Sequence, residues 1–359
     1  RRLKFIAYVV LRKKAQRNTQ HTIHMTVRAF FRAVKVESAH PPYDNITLKV
    51  SYPALLSDSV EARNSGRMPA DTTHAPFPVV IFMPGINVEP AVYQWLANAL
   101  ATKGLVVVTY SWIAEEMPGY INLTPGVDLT AVTPTTYGTK PTCPALQPVL
   151  DELAKINDAG HKTEDGNSVL SGLLDLNSII LGGHSAGGTM ALQNVNPNWF
   201  PQIKAAFSYA GHTMASTMLG YAPGTILPIS TNRPLLILGG SNDGVIAASA
   251  QRYELADDSP TVALERTFNE GVSGGKQDKY LIILQGANHF SCVHPIDETT
   301  GRPFLDQPTT QPDTRIRAEL ITLISFFIDG HVRSNPQARI ALKQQINSGN
   351  PLIALSKLK

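Results

Sequence analysis

A Gly-x-Ser-x-Gly pentapeptide, residues 183–187, follows an apolar run of strand length and opens a stretch that favours helix. The pattern predicts a sharp turn from strand to helix, because the residues beside a serine in a strained backbone conformation must be small. Gly183 and Gly187 meet that requirement. The Ser185 hydroxyl would stand exposed above a sheet, and the Ala186 N–H would lie at a helix N-terminus, where partial positive charge stabilises an oxyanion. The motif indicates acyl transfer with Ser185 as the nucleophile.

Two apolar runs farther along the chain each end in a residue that can complete a serine mechanism. The first run, 233–240, leads into a turn that carries Asp243, and the second, 279–284, leads into a loop that carries His289. In an open α/β sheet, groups placed after the carboxyl ends of the strands converge on one edge. We therefore predict Asp243 as the orienting acid and His289 as the base that activates Ser185.

Other polar residues compete for these two roles. Asp257 and Asp258 are alternative acids, but they follow a helix-like segment, and we expect them to cap or solvate its end. His294 is an alternative base that lies farther from the strand end and precedes a proline. We interpret His184 as the variable position of the pentapeptide. The structural alternative for Asp243 is that it only forms a turn, since Asp-Gly is a common turn pair.

A second oxyanion donor is expected from the loop after an earlier central strand. Residues 77–83 are an apolar run of strand length, and Pro84-Gly85-Ile86-Asn87 follows as a turn. Gly85 would let the backbone approach a substrate closely. The Ile86 N–H is therefore the predicted partner of the Ala186 N–H in an oxyanion hole.

Length and composition suit one domain. The chain has 359 residues, 43% of them hydrophobic and 16% charged, which is enough to bury a large core. Apolar runs of strand length alternate with helix-like segments, and we place helices at 92–102, 145–157 and 314–327. The alternation predicts an α/β protein with a doubly wound, mostly parallel sheet and helices on both faces. In the last helix, Asp313 can cap the start and Gly330 would follow the end.

Several blocks of the sequence resemble one branch of the α/β-hydrolases, which contains cutinase-like polyester hydrolases, chlorophyllases, platelet-activating-factor acetylhydrolases and dienelactone-hydrolase-like proteins. The similar region spans residues 45–330. Its blocks, in order, are Ser51-Tyr52-Pro53-Ala54, residues 76–85, residues 103–108, the pentapeptide, Asp243 and Gly286-Ala287-Asn288-His289-Phe290. The resemblance implies the α/β-hydrolase fold and hydrolysis of an ester.

The chain departs from this branch at three positions. Ala186 stands where polyester hydrolases carry methionine and chlorophyllases carry arginine, and Ser185 stands where dienelactone hydrolases proper have cysteine. Residues 205–212 resemble a polyester-hydrolase segment that ends in a substrate-stacking tryptophan, but here the segment ends in His212. We therefore expect weak or absent hydrolysis of solid aromatic polyester.

Two long segments, 111–144 and 212–232, are expected to form loop insertions that roof the site. Aromatic side chains and flexible methionines in these segments suit an irregular apolar acyl or alcohol group. The candidate substrate-binding residues are Trp112, His212, Met214 and Met218. The alternative is that these side chains only pack the loops onto the body of the domain.

Positive charge is concentrated at the start of the chain. Residues 1–36 hold ten Lys or Arg and no acid, whereas the remaining residues carry 21 basic and 28 acidic side chains, a net charge of −7. Such a start is typical of a membrane-surface arm, a transit-like peptide or a nucleic-acid tail. Since Met25 is the first methionine, we expect residues 1–24 to be a basic extension outside a single functional domain at 25–359.

The cysteines and glycines point to no bound metal or nucleotide. Cys143 and Cys292 lie in loops at the predicted active-site edge. The sequence is compatible both with a disulfide between them and with two free thiols. No Cys or His cluster has the spacing of metal ligands, and the Gly-rich turns do not match a phosphate or dinucleotide loop. We expect no metal and no cofactor.

These features predict a serine carboxylic-ester hydrolase that acts on a small hydrophobic ester. The expected location is the cytoplasm, with a secreted or membrane-associated protein as the alternative. We expect no nucleic-acid partner and at most a weak membrane-surface contact through the basic N-terminus; the oligomeric state is left open. The alternative functions are a peptidase or acyltransferase on the same fold and a catalytically silent, lipid-binding relative.

Overall fold

A mixed β-sheet forms the centre of the computed structural model, which describes residues 25–117, 119–158, 160 and 169–359. Ten strands are found in these residues. They are β1 (Met25–Lys35), β2 (Asn45–Leu55), β3 (Phe77–Met83), β4 (Val106–Met117), β5 (Tyr120–Leu123), β6 (Leu174–His184), β7 (Ile203–Tyr209), β8 (Leu235–Gly240), β9 (Lys279–Leu284) and β10 (Ile353–Leu358). The predicted extension at 1–24 lies outside the described residues.

The strand order is β1-β2-β4-β3-β6-β7-β8-β9-β10, with β5 paired to β4. The six strands from β4 to β9 in this order run parallel to one another. Antiparallel strands close both sides, β2 against β4 and β10 against β9. Every residue of β3, β8 and β9 is buried, as expected for parallel strands that are covered on both faces.

The α-helices of the described chain cover both faces of the sheet. They are α1 (Val60–Ser65), α2 (Gln94–Ala101), α3 (Leu146–Asn157), α4 (Ala186–Gln193), α5 (Gly244–Ser249), α6 (Val262–Arg266), α7 (Asp313–His331) and α8 (Pro336–Asn347). Side chains of β3 alternate between two cores: Val79 and Ile81 pack with α3 and α4, and Val80 packs with α2, α7 and α8. The predicted α/β architecture, with a doubly wound and mostly parallel sheet, is confirmed.

Two details of the sequence prediction are wrong. Helix α7 does not end before Gly330 but continues to His331. This glycine serves contact between helices, because a Cβ there would lie 2.7 Å from Arg339 Cγ of α8. The segment 111–144 is also not all loop, since β4 extends to Met117 and forms a hairpin with β5.

Among the helices of the described residues, none is both long and apolar enough to cross a bilayer.

Candidate active site

The turn between β6 and α4 holds Ser185 in a strained conformation. Its φ of 53° and ψ of −121° are unusual for a residue with a side chain. Small neighbours permit this turn: a Cβ on Gly183 would lie 2.3 Å from the Gly187 backbone, and a Cβ on Gly187 would lie 2.2 Å from the Met83 carbonyl oxygen. The Ser185 N–H donates to the Tyr209 carbonyl at 2.9 Å, which fixes the turn against β7. The side chain of Ser185 is left partly exposed.

Asp243 and His289 form a buried pair at the ends of β8 and β9. His289 Nδ1 lies 2.8 Å from Asp243 Oδ2 and 3.0 Å from Oδ1. His289 is only 2% exposed and Asp243 only 1% exposed. Asp243 also caps α5, because its Oδ1 accepts the Ile246 N–H at 2.8 Å. A carboxylate held in this way requires the Nδ1–H tautomer and leaves His289 Nε2 free to accept a proton.

The structure brings Ser185 to the same place as this pair. His184, which precedes Ser185, lies with its ring 4.8 Å from the His289 ring, and its Nε2 donates to the His289 carbonyl at 3.0 Å. Within the described chain, neither the Ser185 hydroxyl nor His289 Nε2 forms a hydrogen bond.

His184 connects the three loops of the site. Its fully buried ring accepts a hydrogen bond at Nδ1 from the Tyr93 hydroxyl, at 2.8 Å, and that hydroxyl accepts the Gly85 N–H at 3.1 Å. Burial and the nearby His289 hold the pKa of His184 well below its usual range, so the ring stays neutral. The variable position of the pentapeptide is therefore a structural link, which a sequence motif could not reveal because Tyr93 and His289 are distant in the chain.

The two predicted oxyanion donors lie in adjoining segments. Ala186 is the first residue of α4, where backbone N–H groups have no partner within the helix. In the loop after β3, the N–H groups of Gly85, Asn87 and Val88 are engaged in hydrogen bonds, whereas that of Ile86 is engaged with no residue the structure describes. Gly187, the residue after Ala186, packs on the carbonyls at the start of this loop. The N–H groups of Ala186 and Ile86 therefore belong to the same surface.

A second carboxylate, that of Asp306, holds the segments that carry Asp243 and His289. Its Oδ1 accepts the Gly244 N–H at 2.9 Å, and its Oδ2 accepts the Phe290 N–H at 3.1 Å. These amides belong to the residues directly after Asp243 and His289. Burial and the negative charge of Asp243 raise the pKa of Asp306. Asp306 could not be predicted from the sequence, because it lies in a loop with no regular pattern.

Of the predicted substrate-binding residues, only His212 is close to the pair. Burial lowers the pKa of His212 to about 4, and the charges of Asp243 and His289 act on it as well. Its Nδ1 accepts the Met214 N–H at 3.2 Å.

The other three candidates have different surroundings. Trp112 is 4% exposed, donates to the Tyr43 carbonyl at 2.7 Å and packs in the core, which corrects the expectation that it lines a pocket. Met214 is likewise a core residue. Met218 is 86% exposed in a short 3₁₀ turn, so it is a surface residue and not a pocket wall.

Both cysteines are buried and free, which decides between the two alternatives for Cys143 and Cys292. The alternative acids Asp257 and Asp258 and the alternative base His294 are exposed. No group of three or more potential metal ligands occurs in the part of the chain that the structure describes.

The sequence matches no protein-family model and no curated protein. Among solved structures, the chain is similar to a ferulic acid esterase from Streptomyces cinnamoneus, with a TM-score of 0.57 and 17% sequence identity. The match covers 94% of this chain and 97% of the esterase chain. Together with the sheet order and the strand-to-helix turn at Ser185, this likeness shows that the chain has the α/β-hydrolase fold.

Proposed function

We propose that the protein is a serine carboxylic-ester hydrolase. The observation that carries the proposal is the buried Asp243–His289 pair, 2.8 Å apart, beside a serine in a strained strand-to-helix turn. The ester hydrolysis named for the Streptomyces cinnamoneus structure supports the same reaction class. Membership of the branch with cutinase-like polyester hydrolases and chlorophyllases remains a prediction from the sequence.

In the proposed reaction, Ser185 Oγ attacks the ester carbonyl while His289 Nε2 takes its proton. The Asp243 carboxylate stabilises the imidazolium that forms. The N–H groups of Ile86 and Ala186 donate to the oxyanion of the tetrahedral intermediate. The carbon–oxygen bond to the alcohol then breaks, and the alcohol leaves with the proton from His289. Water attacks the acyl-enzyme by the same steps and releases the acid, so the residues need no cofactor.

A hydrophobic ester suits the surface beside the Ile86 loop. Asn87 joins this loop to the β4–β5 hairpin, since its N–H donates to the Leu123 carbonyl at 2.7 Å and its amide donates to Asn122 at 3.1 Å. The hairpin carries four exposed apolar side chains, Ile113, Met117, Tyr120 and Ile121. We propose that this hairpin contacts the apolar part of the substrate. It would take the substrate-binding role that the sequence suggested for Met218.

A fluorophosphonate probe tests the proposal, because it labels only an activated serine. We expect covalent labelling at Ser185 and hydrolysis of short p-nitrophenyl esters, with kcat reduced at least about a thousandfold in Ser185→Ala. Ser348→Ala, which changes an exposed serine after α8, is the matched control and should behave as wild type. Absence of both labelling and hydrolysis would favour a silent lipid-binding relative, and cleavage of amides in preference to esters would favour a peptidase.

A further inference from the structure

The loop between His289 and α7 brings Arg302 to the edge of the candidate site. The preceding residue, Gly301, packs on both sides of the site: a Cβ there would lie 3.4 Å from the Asn87 carbonyl oxygen and 3.8 Å from the Phe290 ring. Four residues later, Asp306 binds the amides beside the acid and the base. Arg302 is thus fixed between the loop of the predicted oxyanion hole and the loop of the predicted base.

The guanidinium of Arg302 is partly buried, and the carboxylate whose charge acts on it, that of Asp243, is already bound to His289. Within the described residues the Arg302 guanidinium forms no hydrogen bond and no ion pair, although a guanidinium carries five N–H donors. Burial, together with the positive charge of Arg252, lowers the pKa of Arg302. A partly desolvated charge beside a like charge is unfavourable unless an anion compensates it.

Tyr253 adds a third unused donor at the same place. Its ring packs edge-on against the ring of His212, with centroids 5.2 Å apart. Its hydroxyl forms no hydrogen bond with any described residue, and the charges of Arg252 and Arg302 both act on it. The Arg302 guanidinium, the exposed Arg252 guanidinium and the Tyr253 hydroxyl therefore lie close to one another beside His212, and none of them has an acceptor among the described residues.

The chemistry of these donors selects a carboxylate. A guanidinium presents parallel N–H groups that match the two oxygens of a carboxylate. A dianionic phosphate fits less well, because the carboxylate of Asp243 acts on Arg302 and the carboxylate of Asp306 belongs to the same loop as Arg302. Since the ester carbonyl must occupy the space beside Ser185, the carboxylate would be a second group on the same substrate.

We propose that Arg302, with Arg252 and the Tyr253 hydroxyl, forms a subsite for a free carboxylate carried by the ester substrate. This inference rests on the proposed ester hydrolysis and narrows its substrate class to esters that are apolar in the middle and anionic at one end. The carboxylate can belong to the acyl part, as in the half-ester of a dicarboxylic acid, or to the alcohol part, as in an ester of a hydroxy acid.

The test compares each anionic ester with its neutral carboxamide counterpart. Monomethyl adipate is compared with methyl adipamate for the acyl side, and O-hexanoyl glycolate with O-hexanoyl glycolamide for the alcohol side. We expect wild type to prefer the anionic ester at least about tenfold in kcat/KM for one of the two pairs, and we expect salt to weaken the preference. The pair that shows it identifies which side of the ester carries the carboxylate.

Arg302→Gln should reduce that ratio to about one, mainly through KM, and Arg252→Gln should reduce it in part. Arg315→Gln, which changes an exposed arginine of α7, is the matched control and should keep the ratio. Hydrolysis of the neutral esters with no anionic preference in wild type, or a preference that survives in Arg302→Gln, would overturn the subsite alone. A wild type that cleaves none of the four esters and takes no fluorophosphonate would overturn the proposed function itself.

Discussion

Glycine on either side of Ser185 sets the position of its hydroxyl. Gly183 and Gly187 pack backbone against backbone, at distances that no Cβ could occupy. The pentapeptide predicts this turn from sequence because the steric requirement is local. His184 is different: its ring is held by Tyr93 and His289, two residues that the chain brings together only after folding.

Gly187→Ala should displace the turn, because the new Cβ would meet the Met83 carbonyl. The backbone at Gly187 or at Met83 would then have to shift. We expect kcat to fall at least about tenfold and the free energy of unfolding to fall by about 1–3 kcal/mol. Ester kinetics and urea denaturation measure the two effects. Gly274→Ala is the control, since a Cβ there meets no atom within 4 Å and its φ is not positive. Unchanged kcat in Gly187→Ala would contradict the packing argument.

The loop after His289 holds together the segments that follow β8 and β9. Its Asp306 side chain binds backbone amides next to Asp243 and next to His289, which come from the ends of β8 and β9. The strands themselves could be predicted from apolar runs, and 77–83 and 279–284 match β3 and β9 to the residue. The hydrogen bonds of Asp306 could not be predicted, because a loop side chain that binds distant backbone has no periodic pattern in sequence.

Asp306→Asn keeps the size of the side chain but replaces one acceptor oxygen with an NH₂ group that cannot bind an amide N–H. We expect kcat to fall about tenfold and the free energy of unfolding to fall by about 1–3 kcal/mol.

Asp297→Asn, in the same loop, is the matched control, because the hydrogen bonds of the Asp297 side chain to described residues come from its neighbours Thr299 and Thr300. An Asp306→Asn variant that loses stability but keeps its kcat would reduce Asp306 to a purely structural role.

At the scale of the whole molecule, buried neutral histidines limit stability in acid. Burial lowers the pKa of His212 and of His331 to about 4, and it holds the pKa of His184 well below its usual range. In the unfolded chain these rings titrate near the ordinary value of 6.5. The unfolded state therefore binds more protons between about pH 6.5 and 4, so stability is full above pH 6.5 and falls as pH falls through this range.

His212 alone should account for a loss of about 3 kcal/mol between pH 7 and pH 4. Chemical denaturation at a series of pH values measures this slope. His212→Asn, which keeps an acceptor for the Met214 N–H but does not titrate, should lose less stability over the same range. Equal slopes for wild type and His212→Asn would mean that His212 is not held neutral in the folded state.

The candidate catalytic residues follow three different parallel strands, β6, β8 and β9. Parallel neighbours can be joined only by crossovers, so the site has no precursor in any short segment. His184 and His289 are 105 residues apart in the chain, and His289 lies 46 residues from Asp243. Contacts of such high sequence separation form slowly and late in folding. During refolding, helical signal should therefore return before hydrolysis does, and the two signals will report different stages of the same process.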